Sequence, residues 1–450
     1  MSPADGRGGR GGGPGRFRGG PLEQAFQIYA PSAVYSVGLG ALTPAMAPAA
    51  TAFGASVALA AASVVLVGLG SLAANAPAAW LASRAGERTT IIVSAWLGAA
   101  GALLTLAAVA GWLPVPPRTG LGILMSGFVV VGMAGAGFNL ARQSYLAVAV
   151  PGSHRARAMS TLGGTIRLGL FAGPFLGAGL QTLLGLQGAF VVAVAAMALA
   201  AGLSFTIRDL ALPGPAQGPT PAPDSQLPLA TVSPDPAPDP APDLGPRPTM
   251  RWLARQHRRV LLTSGIGVVC LSAARASRSA VIPLWATELG LSPAAASAVY
   301  GLSGLADLLM FYPSGLMMDR RGRRVVAVCC LAGLALGTAL VPLTGSPWWF
   351  AAVALLVGLG NGFGSGIVMT LGADYSPPDG RPQFLALWRL QSDAGMLAGP
   401  AALSAVTGLA GLAVGIWAVA AIAAVGAVIF ARTLPRGPGP VAVPAGTPSR

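Results

Sequence analysis

QAFQIYAPSAVYSVGLGALTPAMAPAATAFGASVALAAASVVLVGLGSLAANAPAAWLAS, residues 24–83, contains no charged side chain, and Glu23 and Arg84 bound it on either side. A helix needs about 20 apolar residues to cross the roughly 30 Å hydrocarbon layer of a membrane. The stretch therefore holds two crossings, 25–48 and 57–82, joined by a short turn near Ala49 to Ala55. Outward from it, the same argument gives crossings at 90–112, 120–147, 158–182 and 188–207. Six more follow at 260–285, 294–318, 325–344, 348–371, 384–407 and 411–431. The expected fold class is an all-α membrane protein with twelve transmembrane helices.

Composition agrees with lipid as the solvent. Of 450 residues, 54% are hydrophobic and 9% charged, against roughly a quarter charged in an ordinary soluble domain. A net charge of +14 and a pI near 11.3 would suggest nucleic acid for a soluble chain, but here the charges gather in the connections between spans. Every cation is arginine, with no lysine, a bias read as that of a GC-rich bacterial genome. Cys270, Cys329 and Cys330 lie in apolar stretches without metal-ligand spacing, so neither a disulfide framework nor a metal site is expected. His154 and His257 sit at membrane edges, and no HExxH, P-loop or dinucleotide fingerprint occurs in context. The expectation is a protein that is not an enzyme, needs no cofactor and is not driven by ATP.

Between the two sets of six spans the pattern breaks. Residues 208–259 carry 13 prolines between Pro213 and Pro248 and read as an extended linker. The expected organisation is a Gly/Arg tail at 1–23, six-helix bundles at 24–207 and 260–432, and a second tail at 433–450. The tail from Arg7 to Arg18 reads as a cytoplasmic leader, not a secretory signal. Arg251, Arg255, Arg258 and Arg259 beside Trp252 read as one face of a short interfacial helix on anionic lipid. Arginines cluster on one side of the predicted topology, among them Arg84, Arg88, Arg155, Arg157, Arg320 to Arg324, Arg381, Arg432 and Arg436, and only Arg118 falls on the other. Positive charge marks the cytoplasmic face, so both termini and the linker are expected there, in a bacterial inner membrane.

The two halves repeat. Pro151, Arg155, Arg167 and Gly173-Pro174 match Pro377, Arg381, Asp393 and Gly399-Pro400 at a constant shift of 226 residues. Gly135-Ala136-Gly137-Phe138 matches Gly360-Asn361-Gly362-Phe363 at 225. Arg84, Gly86 and Arg88 match Arg320, Gly322 and Arg324 at 236, a difference read as an insertion of about ten residues between the eighth and tenth spans. Two pseudo-symmetric six-helix bundles are therefore expected, an arrangement found in secondary transporters.

At Gly315 to Arg324 the chain resembles the major facilitator superfamily, whose loop signature is Gly, three residues, Asp, Arg, any residue, Gly, Arg, Arg. The first copy departs from the signature at Ser83 and Glu87. The resemblance covers about 24–207 and 258–432 and implies that fold, with alternating access to a small-molecule substrate. Gly169 to Pro174 and Gly399-Pro400 resemble a fifth-helix motif of bacterial proton-coupled drug and metabolite exporters, and equally fit a small-residue seam with proline kinks at Gly173, Pro174, Gly399 and Pro400.

Ionisable residues inside the spans are the functional candidates, because a charge in hydrocarbon costs about 2.5–3.5 kcal/mol on insertion scales. There are seven: Arg142, Arg167, Arg275, Arg278, Asp307, Arg389 and Asp393. Asp307 and Asp393 are candidate proton carriers. Arg167 and Asp393 hold equivalent places in the halves; Asp307 is expected to titrate beside Arg275 or Arg278, and Asp393 beside Arg167 or Arg389 where the halves approach. Arg142 is a candidate for binding an anionic substrate, and Arg389 for snorkelling. Gly315, Asp319, Arg320, Gly322, Arg323 and Arg324, with Arg84, Gly86 and Arg88, are candidate gating residues. Asp319 is expected to accept from a neighbouring helix N-terminus, and Arg320, Arg323 and Arg324 to pair across the loop. The expected function is proton-coupled efflux of a small amphipathic molecule by a monomer in the lipid bilayer, without nucleic acid. The alternatives are an importer or facilitator of an organic anion, or a transport-inactive scaffold.

Overall fold

The computed structural model describes residues 21–150, 152–209, 250–377 and 380–437, with only the backbone for 21–26, 152–157 and 382. The expected tails over 1–20 and 438–450, the linker over 210–249, and the side chains of Arg155 and Arg157 lie outside the described residues.

Among the described residues all regular structure is helical. The crossings are α1 Pro21–Ala52; α2 and α3, the limbs 57–85 and 87–109 of Val57–Val109; α4 Pro117–Ala149; α5 Gly152–Leu184; and α6 Gln187–Ser204. The second set is α7 Ser264–Glu288, α8 Pro293–Arg321, α9 Arg323–Leu340, α10 Pro347–Phe363 continued by Ile367–Tyr375, α11 Arg381–Ala410 and α12 Leu412–Thr433. Nine described segments pass as spans on length and apolar composition alone. One of them is the pair α2 and α3; α5 and α11 are not among the nine but, at 33 and 30 residues, are long enough to cross, with Arg167 in one and Arg389 and Asp393 in the other. The crossings therefore number twelve.

Glycines and serines set the ends. Gly86 and Gly322 take the matching conformations φ 83°, ψ 164° and φ 89°, ψ 166°, which turn α2 into α3 and α8 into α9. A side chain would be strained there. Ser56, Ser292 and Ser346 cap α2, α8 and α10 by accepting the amides of Leu59, Ala295 and Trp349.

Packing within each half rests on helices close enough to exclude side chains. A Cβ on Gly132 would fall on the Val67 carbonyl oxygen, and one on Gly358 on that of Ser303. Gly173 meets the Val37 carbonyl, and Gly399 that of Ala273. In both pairings the members related across the repeat differ by 226 residues on one helix and 236 on the other. Gly173-Pro174 and Gly399-Pro400 thus form a seam against α1 and α7, and both prolines lie inside unbroken helices.

The ten-residue difference between the shifts falls on the first half, which corrects the expected insertion. α3 runs 23 residues from 87 to 109, whereas α9 has 18 and ends at Leu340, and α10 begins later in register than α4. Two further expectations change. The tenth span breaks at Gly364 to Gly366, with Gly366 at φ 80°. Arg251 and Arg255 lie on the helix Met250–Gln256, while Arg258 and Arg259 open a separate turn, Arg258–Leu262, because His257 at φ −98°, ψ 18° interrupts the helix.

Buried side chains form two clusters. One is built from residues of α1 to α6, among them Phe128, Phe138 and Phe190. The other is built from α7 to α12, among them Phe350, Phe384 and Phe430, and takes in Ala47, Ala50, Ala60 and Ala61. The halves meet where α5 packs on α8 and α2 on α11.

Candidate functional site

The α5–α8 contact places an arginine and an aspartate together at the level where the halves join. Arg167 Nη1 lies 3.4 Å from Asp307 Oδ1 and donates to Ser365 Oγ at 2.8 Å. The other carboxylate oxygen of Asp307 accepts from Asn361 Nδ2 at 2.8 Å. Asn361 is in turn held by Arg275, whose Nε donates to Oδ1 at 3.0 Å and whose Nη2 donates to the Asn361 carbonyl at 2.7 Å. A continuous polar chain therefore runs from α5 through α8 and α10 to α7. The side chains of Arg167 and Asp307 keep 26% and 18% of their exposure, so the pair is partly desolvated and still open to a small molecule.

The broken tenth helix makes this possible. A Cβ on Gly362 would stand 2.7 Å from the Asp307 carbonyl, and one on Gly364 would stand 3.0 Å from Arg275 Nη2. Gly362 brings α10 against α8, Gly364 leaves room for Arg275 of α7, and Asn361 is the bridging amide between them. A cavity of about 80 Å³ opens beside the pair, lined by Arg167, Arg278, Asp307, Thr43, Phe171 and Tyr300 among others. Arg278 donates to Ser303 at 3.1 Å and stacks 5.2 Å from the Tyr300 ring, and Arg167 sits 4.7 Å from the Phe311 ring. Three guanidiniums and one carboxylate give the cluster a positive balance, with aromatic faces around it.

Of the expected pairings only Asp393 with Arg389 is present. Arg167 meets Asp307, not Asp393. Arg275 reaches Asp307 only through Asn361, and Arg278 turns to Ser303. Asp393 faces Arg389 on its own helix at 4.0 Å, with the side chains 35% and 68% exposed. Arg142 is buried at 4% exposure on α4, against the Phe138 ring and bonded to Asn139, and its Nε and Nη1 have no partner among the described residues. Asn361, Ser365, Ser303 and Tyr300 were not among the sequence candidates. For Asn361 a signal existed, an amide between two glycines in the repeated Gly360 to Phe363 motif.

The signature loops bind within their own halves. Arg323 Nε lies 3.1 Å from Asp374 at the end of α10, and Arg88 lies 2.7 Å from Asp209 beyond α6. Pairing across the loop does not occur at these arginines. Asp319 and Arg320 are exposed in the last turn of α8, and Asp319 accepts no hydrogen bond from a neighbouring helix among the described residues. Gly315, Gly322, Arg324, Arg84 and Gly86 lie at the same end, where Arg84 covers the Trp80 ring at 5.0 Å.

Solved structures share this architecture. A D-xylose–proton symporter superposes with TM-score 0.66 at 14% identity, covering 91% of this chain and 98% of its own. A peptide transporter in complex with sulfate gives 0.65 at 15%, covering 92% and 95%. A nucleoside transporter mutant gives 0.64 at 11%, covering 90% and 98%. Among curated proteins no relative matches significantly. The sequence profile described as Major Facilitator Superfamily matches residues 32–274 and 264–449, nearly the whole chain, and the protein belongs to that family of multi-pass membrane transporters.

Proposed function

We propose that the chain is a proton-coupled secondary transporter that exports a small amphipathic molecule by alternating access, with Asp307 as the group that takes up and releases the proton. The observation that carries this reading is the Arg167–Asp307 pair, one member from each half, beside a cavity. A proton-driven cycle needs a group whose charge changes, and the arginines keep theirs at any working pH. Protonating Asp307 would remove the attraction that joins α5 to α8, so proton binding and the movement of the halves share one contact. Export rests on the fifth-helix resemblance at Gly169 to Pro174. The arginine-rich ends, both termini and residues 208–259 are assigned to the cytoplasm of a bacterial inner membrane by charge bias. Labelling from outside of a cysteine introduced into 208–259 in intact cells would overturn that orientation.

The test uses purified protein in vesicles, with substrates first found by thermal stabilisation against a panel of organic cations, carboxylates and phosphorylated compounds. Asp307→Asn is expected to abolish accumulation driven by a proton gradient while sparing downhill exchange. Concentrative flux in that variant would remove Asp307 from the coupling step. The three arginines around one aspartate favour a second reading, transport of an organic anion. Carboxylates or phosphorylated compounds that stabilise the protein, with cations that do not, would select it.

A further inference from the structure

Between α9 and α12, at the arginine-rich end, lies a groove of about 410 Å³ lined by Arg324, Val325, Val328, Cys329, Ala431 and Arg436. Its walls are apolar, and two arginines, Arg324 and Arg436, belong to its lining. Neither Arg324 nor Arg436 has a hydrogen-bond or ion-pair partner among the described residues. Beyond it the exposed residues Leu336, Val425 and Val428 continue the apolar surface along both helices.

The first half shows what this place looks like when it is satisfied internally. Arg88 is the counterpart of Arg324 at the 236-residue shift, and it is neutralised by Asp209 at 2.7 Å. The counterpart of Asp209 at the 226-residue shift is Pro435, followed by Arg436. Where one half supplies its own carboxylate, the other supplies a residue without charge and then a second cation. Among the described residues no carboxylate fills that place, and the apolar walls suit an anion that carries hydrocarbon.

We infer that this groove binds an anionic phospholipid, its headgroup phosphate between Arg324 and Arg436 and an acyl chain along α9 and α12. The depth fits, because basic residues at helix ends meet lipid headgroups, and each adds attraction to an anionic surface.

Cys329 lines the groove and is exposed, while Cys270 and Cys330 are buried, so its alkylation reports occupancy. The purified full chain in mild detergent would be treated briefly with a maleimide, and Cys329 modification followed by mass spectrometry of its peptide. Phosphatidylglycerol is expected to slow the modification, and neither phosphatidylcholine nor inorganic phosphate should do so. Arg436→Gln should weaken this protection about fivefold, the scale of one interfacial charge. Pro435→Asp, which restores the acidic partner of the first half, should do the same. Arg432→Ala, outside the groove lining, should leave protection unchanged and controls for bulk charge. Equal protection by phosphatidylcholine, protection by inorganic phosphate alone, or full protection in the Pro435→Asp variant would each overturn the proposal.

Discussion

At the α5–α8 seam Arg167 reaches across the halves to Asp307 at 3.4 Å, whereas at the α2–α11 seam the matching positions are Ser71 and Asp393, and Asp393 turns to Arg389 on its own helix. The backbone register of the two seams is the same. Phe171 meets Gly304 in one and Leu397 meets Gly68 in the other, and these pairs are related by the 226- and 236-residue shifts. Nearer the opposite end, Phe175 lies over Gly301 in the first seam, while Ser404 bonds to the Ala58 carbonyl at 2.7 Å in the second. Equal geometry with unequal charge means that the two seams respond differently to a proton. An ion pair within one helix contributes a few tenths of a kcal/mol, whereas removing one member of a partly buried pair between halves leaves the other charge uncompensated and costs more.

The largest effect should come from removing the cross-half pair. Arg167→Ala leaves Asp307 to Asn361 alone and is expected to lower stability by about 3 kcal/mol, read as the melting of purified protein. The exchanged double variant, Arg167→Asp with Asp307→Arg, should recover more than half of that loss. Unchanged melting in Arg167→Ala would mean that the seam is held by packing alone.

Within the halves the repeat is a packing repeat, and there the two sides should agree. Gly132→Ala and Gly358→Ala each drive a methyl onto a backbone carbonyl and should each cost about 1–3 kcal/mol. A large loss in one and none in the other would break the equivalence from which the seam comparison is drawn.

Ser71→Arg would give Asp393 the cross-half partner it lacks. Turnover in vesicles is expected to fall about fivefold, the worth of one modest ion pair, because the second seam would then have to be broken in each cycle. Turnover equal to that of the parent would show that this seam does not part at the depth of Asp393. The smallest effect belongs to Asp393→Asn, whose melting should stay within about 0.5 kcal/mol of the parent. A larger loss would place Asp393 in a partnered, buried state that differs from the exposed pair with Arg389.

Much of the fold could be read from residues 24–83 and the charge pattern, because membrane thickness sets span length whatever the neighbours are. Gly86 and Gly322 could be found as a repeated loop from sequence, since a turn of that shape needs glycine in both copies. The break at Gly364 to Gly366 falls on a Gly-Ser-Gly signal, yet the apolar stretches on both sides together fill one span, so length alone predicts an unbroken helix. Asn361 was visible within a repeated motif, yet its part in holding Asp307 depends on two helices that are distant in sequence.

What the sequence determined by itself was local or periodic: twelve crossings, two halves in register, and the short list of charges that must be shielded from lipid. It also identified Arg167 and Asp393 as equivalent positions, and of the two partners expected for Asp393 the structure has Arg389 and not Arg167. Residues related by a pseudo-symmetry axis occupy matching sites on different seams, so they need not touch each other. Only the tertiary structure decided that α5 meets α8 while α11 meets α2, and therefore that Arg167 faces Asp307 and Asp393 is left to its own helix. The physical reason is that the two halves face each other through nonequivalent helices, so a partner across the interface is set by docking and not by sequence spacing.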